Sequence, residues 1–253
     1  MCRTSVSLVA LMIIVTGSTA LFAQSASPPT GGASQLPLGV AAGTLAPDGI
    51  GVTVGQSAGA GKMANGPWVD ESVIQPLQVG ATMPANSVVL TVAGKPFDLN
   101  AAVATKPTVL IFYRGGWCPY CNAHLRQLQG SMPALQAMGY QVLAISSDTP
   151  KELRDTLTEN KLSYQLLSDS KIEVAAKFGL RYKATDDFLN SLKNGHGTDL
   201  MAQNGGYLLT PGAFILDRAG VIRFVYANNN FTVRVSQEAL LKAARDALDA
   251  RRS

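Results

Sequence analysis

Residues 108–121 read TVLIFYRGGWCPYC, and no other stretch restricts the fold as strongly. Thr108–Tyr113 is an unbroken apolar run rich in β-branched residues, the pattern of a central strand covered on both faces. Cys118 follows soon after, with Pro119 next to it. Proline is favoured at the first position of a helix, which makes Cys118 the N-cap of a helix over Pro119–Gln129. The free amides and positive end of that helix point at the Cys118 sulfur, so the thiolate is favoured there and its pKa should fall. Cys121 lies three residues on, one turn along the same helical face. That spacing suits a disulfide that forms and breaks with little backbone movement. Trp117 and Tyr120 would crowd the sulfur with apolar surface and restrict water.

Other uses of such a pair are weaker. Structural zinc takes about four ligands, and beside one CxxC the chain offers only His124 and His196. Haem attachment needs His directly after the second cysteine, where Asn122 stands. A purely structural disulfide would close a tiny loop and stabilise little. Six residues from Cys118, His124 falls on the far side of the helix and reads as solvent-facing. His196, in NGHGTD, reads as a loop residue without an identifiable partner.

The chain has 253 residues and a formal charge of +4, with no Lys/Arg run longer than two residues, which leaves nothing to suggest a nucleic-acid partner. Arg3 followed by LVALMIIV, Leu8–Val15, and then by small residues reads as an export signal over 1–23 with cleavage at Ala23–Gln24. The expected location is periplasmic or secreted, without stable membrane insertion once the signal is removed. Cys2 goes with the signal, which leaves Cys118 and Cys121; an exported chain with only these does not use cysteine as a structural framework. Residues 24–75 begin as a tract rich in Gly, Ala, Ser and Pro and read as a flexible linker. One α/β domain is expected over 76–253.

Within that domain a short hairpin is expected from Ser87–Val92 and Pro96–Leu99, and a second buried strand at Tyr140–Ser146. Gly130 would end the first helix, and Pro133 would open a second short one. Thr149 and Pro150 open another helix, and strand YQLL and helix KIEVAAKFG follow. GAFILD and GVIRFVY form a hairpin about Asp217–Gly220, and an amphipathic helix closes the chain. Strands alternating with helices favour a mixed sheet with helices on both faces. Residues 181–207 fit no element firmly, and so long an excursion is either functional or an insertion.

VLIFYRGGWCPYCN together with TPGAFILDRAGVIRF, Thr210–Phe224, resembles the thioredoxin-like superfamily, and within it the peroxiredoxin-like proteins of the alkyl hydroperoxide reductase/thiol-specific antioxidant (AhpC/TSA) group. The resemblance implies a thioredoxin-like α/β fold, with a central mixed sheet flanked by helices. It implies a cis peptide at Pro211, with the Thr210 backbone facing the sulfurs. The chain departs from the group in three places. The buried Asp that thioredoxins carry before the first cysteine is Phe112 here. The Pro and Thr/Ser of the peroxiredoxin motif Pro-x-x-x-Thr/Ser-x-x-Cys, counted back from Cys118, fall on Ile111 and Gly115. The Arg expected just before the FILD strand is replaced by Thr210–Pro211, a charge that Arg114 could restore.

On these grounds the sequence favours an exported thiol–disulfide oxidoreductase. Cys118 attacks, Cys121 resolves, and Trp117, Pro119, Tyr120, Thr210, Pro211 and Arg114 meet the substrate. Disulfide exchange is expected to outpace peroxide reduction. The partners are a disulfide-bonded protein or a peroxide, plus an upstream thiol electron donor; no metal or organic cofactor is called for. A thioredoxin-dependent thiol peroxidase with antioxidant function is the alternative, and a non-catalytic binding module on the same fold is a third reading.

Overall fold

The computed structural model describes residues 52–54 and 74–250. Strands β1 (Val52–Val54), β2 (Val88–Thr91) and β3 (Pro96–Asp98) come first, followed by helix α1 (Leu99–Thr105), capped by the Asp98 carboxylate, and strand β4 (Thr108–Tyr113). Helix α2 (Pro119–Ala137), strand β5 (Gln141–Ser146) and helix α3 (Pro150–Glu159) follow; Thr149 and Glu152 form a reciprocal capping box at the start of α3. Next come β6 (Gln165–Ser168), α4 (Glu173–Lys177), β7 (Arg181–Lys183), α5 (Asp186–His196), α6 (Leu200–Asn204) and β8 (Tyr207–Leu209). Strands β9 (Gly212–Leu216) and β10 (Ile222–Ala227) and helix α7 (Gln237–Asp249) end the series.

The main sheet runs β1-β10-β9-β4-β5-β6-β2-β3. Strand β4 pairs parallel with β5 and antiparallel with β9, so it sits mid-sheet, and all six of its residues are buried. Its alternate side chains serve two cores. Val109, Ile111 and Tyr113 join Leu125 and Leu135 of α2 and Leu240 and Ala244 of α7, in the same cluster as both cysteines. Leu110 and Phe112 pack with Leu99 of α1, with Phe178 after α4, and with Phe214 of β9. The place of the thioredoxin Asp is therefore filled by a core ring, and Phe112 stacks with Phe178 and Phe214 at centroid distances of 5.1 and 5.8 Å. Truncating a side chain such as Ile111 to Ala would cost about 2–5 kcal/mol.

The stretch 181–207, which fitted no element from sequence, is ordered. β7 and β8 make a separate two-stranded sheet, and α5 and α6 lie between them in the chain. Tyr182, Leu189, Leu192, Leu200 and Leu208 form its own apolar cluster, against which Trp117 and Phe188 pack. The expected break of α2 does not occur. It runs unbroken past Gly130, an exposed position, with Pro133 inside the helix.

Strand β1 lies inside the segment read as a linker and pairs parallel with β10. The remainder of 24–73 and the signal assigned to 1–23 lie outside the described residues. Among the described residues, no helix is long and apolar enough to cross a membrane.

Candidate active site

The buried end of β4 delivers the site. Arg114 follows the strand and is itself buried, its carbonyl accepting from the Ser147 hydroxyl at 2.6 Å. The two glycines that follow have no room for a side chain. A Cβ on Gly115 would sit 2.7 Å from Asp148 Oδ1, and one on Gly116 would sit 1.9 Å from Thr156 Oγ1. The Gly116 amide donates to Asp148 Oδ2 at 2.9 Å, and Asn122 Nδ2 donates to the Gly116 carbonyl at 2.7 Å. This pins the loop, and Cys118 becomes the N-cap of α2 with Pro119 at its first position, as the sequence predicts.

The two thiols are free and buried, and they are hydrogen-bonded to each other. They titrate as one unit. Burial opposes ionisation of Cys121, but the Cys118 hydrogen bond, the Arg234 cation, the Arg114 main-chain amide and the Arg114 cation outweigh it and lower Cys121 to about 5. Arg234 Nη2 donates to Cys121 Sγ at 3.3 Å. Cys118, the donor of the shared hydrogen bond, is pushed up by that bond, then by burial and by the charge on Cys121. The first proton thus leaves the pair readily, and the resulting charge is shared between the two hydrogen-bonded sulfurs. The helix N-terminus at Cys118 and the donors converging on Cys121 act on one hydrogen-bonded pair, so acidity belongs to the pair as a unit.

Cys118 faces a cavity of about 130 Å³. Arg114, Trp117, Pro119 and Tyr120 line it, and α5 adds Phe188, Leu192 and His196 while the loop after β10 adds Phe231. The Arg114 guanidinium is caged by rings, with its Cζ 4.9 Å from the Trp117 centroid, 4.9 Å from Phe188 and 4.1 Å from Phe231. His196 ends α5 beside Trp117, with centroids 6.4 Å apart, and is not a loop residue.

Thr210 and Pro211 do not line this cavity. The Pro211 peptide is trans, since no described peptide is cis, and the Thr210 amide is engaged by the Leu180 carbonyl at 2.9 Å. The Thr210 amide expected to face the sulfurs is therefore already used inside the protein. His124 is also corrected. It is buried, and burial followed by the Arg234 charge lowers it to about 3. Asp148 is raised to about 7, chiefly by burial and despite its bonds to Gly116 and Ser146. Among the described residues no cluster of His, Cys, Asp or Glu could hold a metal ion.

Fold and site together define a thioredoxin-like protein with a buried, hydrogen-bonded cysteine pair. The chain belongs to the AhpC/TSA family, whose model matches residues 79–225. A bcp peroxiredoxin of Haemophilus influenzae is 32% identical over 107 residues, covering 42% of this chain and 68% of that protein. The peroxiredoxin bcp1 of Schizosaccharomyces pombe is 32% identical over 117 residues, covering 46% of this chain and 60% of its own length. The crystal structure of reduced Prx3 from Vibrio vulnificus in complex with H2O2 superposes with a TM-score of 0.55 at 20% identity, over 66% of this chain and 99% of that one, and supports the shared fold.

These findings overturn the preference for a disulfide oxidoreductase. The relatives carry the peroxiredoxin name, and the charge missing at Thr210–Pro211, on which that preference rested, is present in space. Arg114 and Arg234 approach the sulfurs from other parts of the chain.

Proposed function

We propose that this protein is a thiol peroxidase that reduces a hydroperoxide at Cys118, resolves through Cys121 and is regenerated by a thioredoxin-type dithiol donor. The observation that carries the proposal is the Arg114 guanidinium in the wall of the Cys118 cavity, held among three rings. Membership of the AhpC/TSA family supports it. Neither Arg114 nor Arg234 lies within 4.0 Å of a carboxylate among the described residues. Arg114 is buried, and a buried cation without an anion is costly, so the sulfur charge and the developing alkoxide are the anions it is placed to meet, while half-buried Arg234 donates directly to the Cys121 sulfur.

The chemistry balances as follows. The shared hydrogen bond lets the remaining proton pass from Cys118 to Cys121, leaving the thiolate at the cavity. Cys118 attacks one peroxide oxygen and the O–O bond breaks. The sulfur is oxidised to sulfenic acid, and the departing alkoxide takes the Cys121 proton and leaves as the alcohol. Cys121, now a thiolate, displaces hydroxide from the Cys118 sulfenic acid and the disulfide closes. Two electrons from the donor dithiol restore both thiols. Arg114 stabilises the negative charge as it passes from sulfur to oxygen, while Trp117, Phe188 and Phe231 keep water away from it.

Stopped-flow mixing of the reduced protein with hydrogen peroxide or an organic hydroperoxide tests this. Rapid oxidation that Cys118→Ser abolishes is expected, and a chain inert to every hydroperoxide would overturn the proposal. We also place the activity outside the cytoplasm, on the N-terminal signal pattern alone. A mature protein beginning at Gln24 would support export, and an unprocessed cytoplasmic chain would refute it.

A further inference from the structure

The loop between β10 and α7 does two things at once. Phe231 closes the cavity over Arg114, at 4.1 Å, and three residues later Arg234 reaches round to the other sulfur. Arg234 is fixed for this task. Its Nη1 donates to the Phe231 carbonyl and to the Val233 carbonyl at 3.0 Å, which leaves Nη2 on Cys121 Sγ at 3.3 Å. The contact joins residues 113 apart in sequence, and Arg234 lies outside the cavity that Cys118 faces.

We propose that Arg234 is a catalytic residue of the second chemical step: it touches the Cys121 sulfur and holds it as the thiolate that closes the disulfide on oxidised Cys118. The inference rests on the peroxidase reading but assigns a division of labour within it. Arg114 serves the sulfur that meets peroxide, and Arg234 serves the sulfur that resolves. Without Arg234 the Cys121 charge would rest in a buried apolar cluster.

The other groups around this contact do not substitute for it. Cys118 donates to Cys121, and Arg114 supplies an amide and a more distant charge. Tyr113 of β4 and Tyr182 of β7 are raised by burial and stay neutral. Asp148, in the loop after β5, opposes a thiolate when ionised. On the Arg234 side, His124 of α2 stays neutral and Tyr226 of β10 is raised by burial. Among the described residues, the cations acting on Cys121 are therefore Arg114 and Arg234.

The test follows sulfenic acid in the full chain with Cys2→Ser, mixed with hydrogen peroxide. In Arg234→Met, disulfide closure at pH 7 should slow at least about tenfold, because a Cys121 thiol returned toward the free-cysteine value of about 8.5 is only a few per cent thiolate at that pH. Sulfenic acid should accumulate, closure should recover by about pH 9.5, and Arg234→Lys should stay within about threefold of the parent. Closure at the parent rate in Arg234→Met overturns the proposal. So does slow closure that high pH does not rescue, since that marks a merely structural defect. If no variant reacts with peroxide the peroxidase reading fails, and titration of Cys121 by thiolate absorbance in a Cys118→Ser chain decides the inference alone. A midpoint raised by a unit or more in Arg234→Met supports it, and an unchanged midpoint overturns it.

Discussion

Arg114→Met removes one positive charge from the wall of the Cys118 cavity and keeps an unbranched side chain of comparable reach between Trp117, Phe188 and Phe231. The three ring contacts, at 4.1 to 4.9 Å, are shielded from water, and each is worth about 0.5–2 kcal/mol to a cation. Some of that stabilisation is lost in Met, but apolar packing of the chain against the rings remains, so the fold should survive with a modest fall in Tm. The loss in rate is larger. A positioned donor facing a developing oxyanion typically contributes about 100- to 1,000-fold. The second-order rate of Cys118 oxidation should therefore fall at least about a hundredfold in Arg114→Met, and more in Arg114→Ala, where a void opens among the rings. Stopped-flow fluorescence of Trp117 reports the step directly, because the indole lines the cavity beside the reacting sulfur. Circular dichroism at the same temperature confirms the fold. A folded Arg114→Met that keeps its peroxide rate within threefold would refute the assignment of Arg114 as the oxyanion partner.

Asp148 gives a pH-dependent outcome. Its folded pKa of about 7 is raised above the ordinary carboxylate value, so between those two values only the folded state holds the proton, and stability falls as pH rises, by about 1.4 kcal/mol per unit. Urea titrations of Asp148→Asn from pH 4 to 7 should show that slope reduced; Asp169, raised to about 6, supplies a residual slope of the same sign. A slope unchanged from the parent would show that Asp148 is ionised throughout. Gly116→Ala should destabilise by about 1–3 kcal/mol, because its new methyl meets Thr156 Oγ1, and Thr156→Ala should restore much of that loss in the double variant. Strictly additive effects in a thermal-melt double-mutant cycle would contradict the steric account.

The parts of the fold that were legible in sequence are those where one local pattern agrees with burial. Thr108–Tyr113 reads as a doubly covered strand and is one, and Pro119 after Cys118 marks a helix start that the structure keeps. Gly130 and Pro133 misled because their signals as helix breakers are local, whereas packing of α2 on the sheet and on α7 carries the helix through. His124 misled because its angle was judged against Cys118 alone, and not against the later chain that returns with Arg234 beside it. The α5 segment did carry signals: Thr185 as N-cap, Asp186 and Asp187 in the first turn, Gly197 at the end, and Phe188, Leu189 and Leu192 at helical spacing. Arg234 carried none. It is a lone arginine between two valines, and only the return of the chain after β10 brings it to a sulfur 113 residues away. The charge that the resemblance puts at Thr210–Pro211 was legible as Arg114, four residues before Cys118, and the fold adds Arg234 from the loop after β10.

In the proposed chemistry the pair works on peroxide oxygen, with Cys118 attacking. Reduced Cys2→Ser protein is mixed with one equivalent of hydrogen peroxide, quenched in the millisecond range with a thiol alkylator, and the sulfur states are read by peptide mass spectrometry. The account predicts one Cys118–Cys121 disulfide per peroxide consumed in the parent chain, sulfenic acid on Cys118 in Cys121→Ser, and unmodified Cys121 over the same interval in Cys118→Ser. Sulfenic acid forming on Cys121 in Cys118→Ser as fast as the parent chain oxidises, or a parent chain that peroxide leaves reduced, would contradict it.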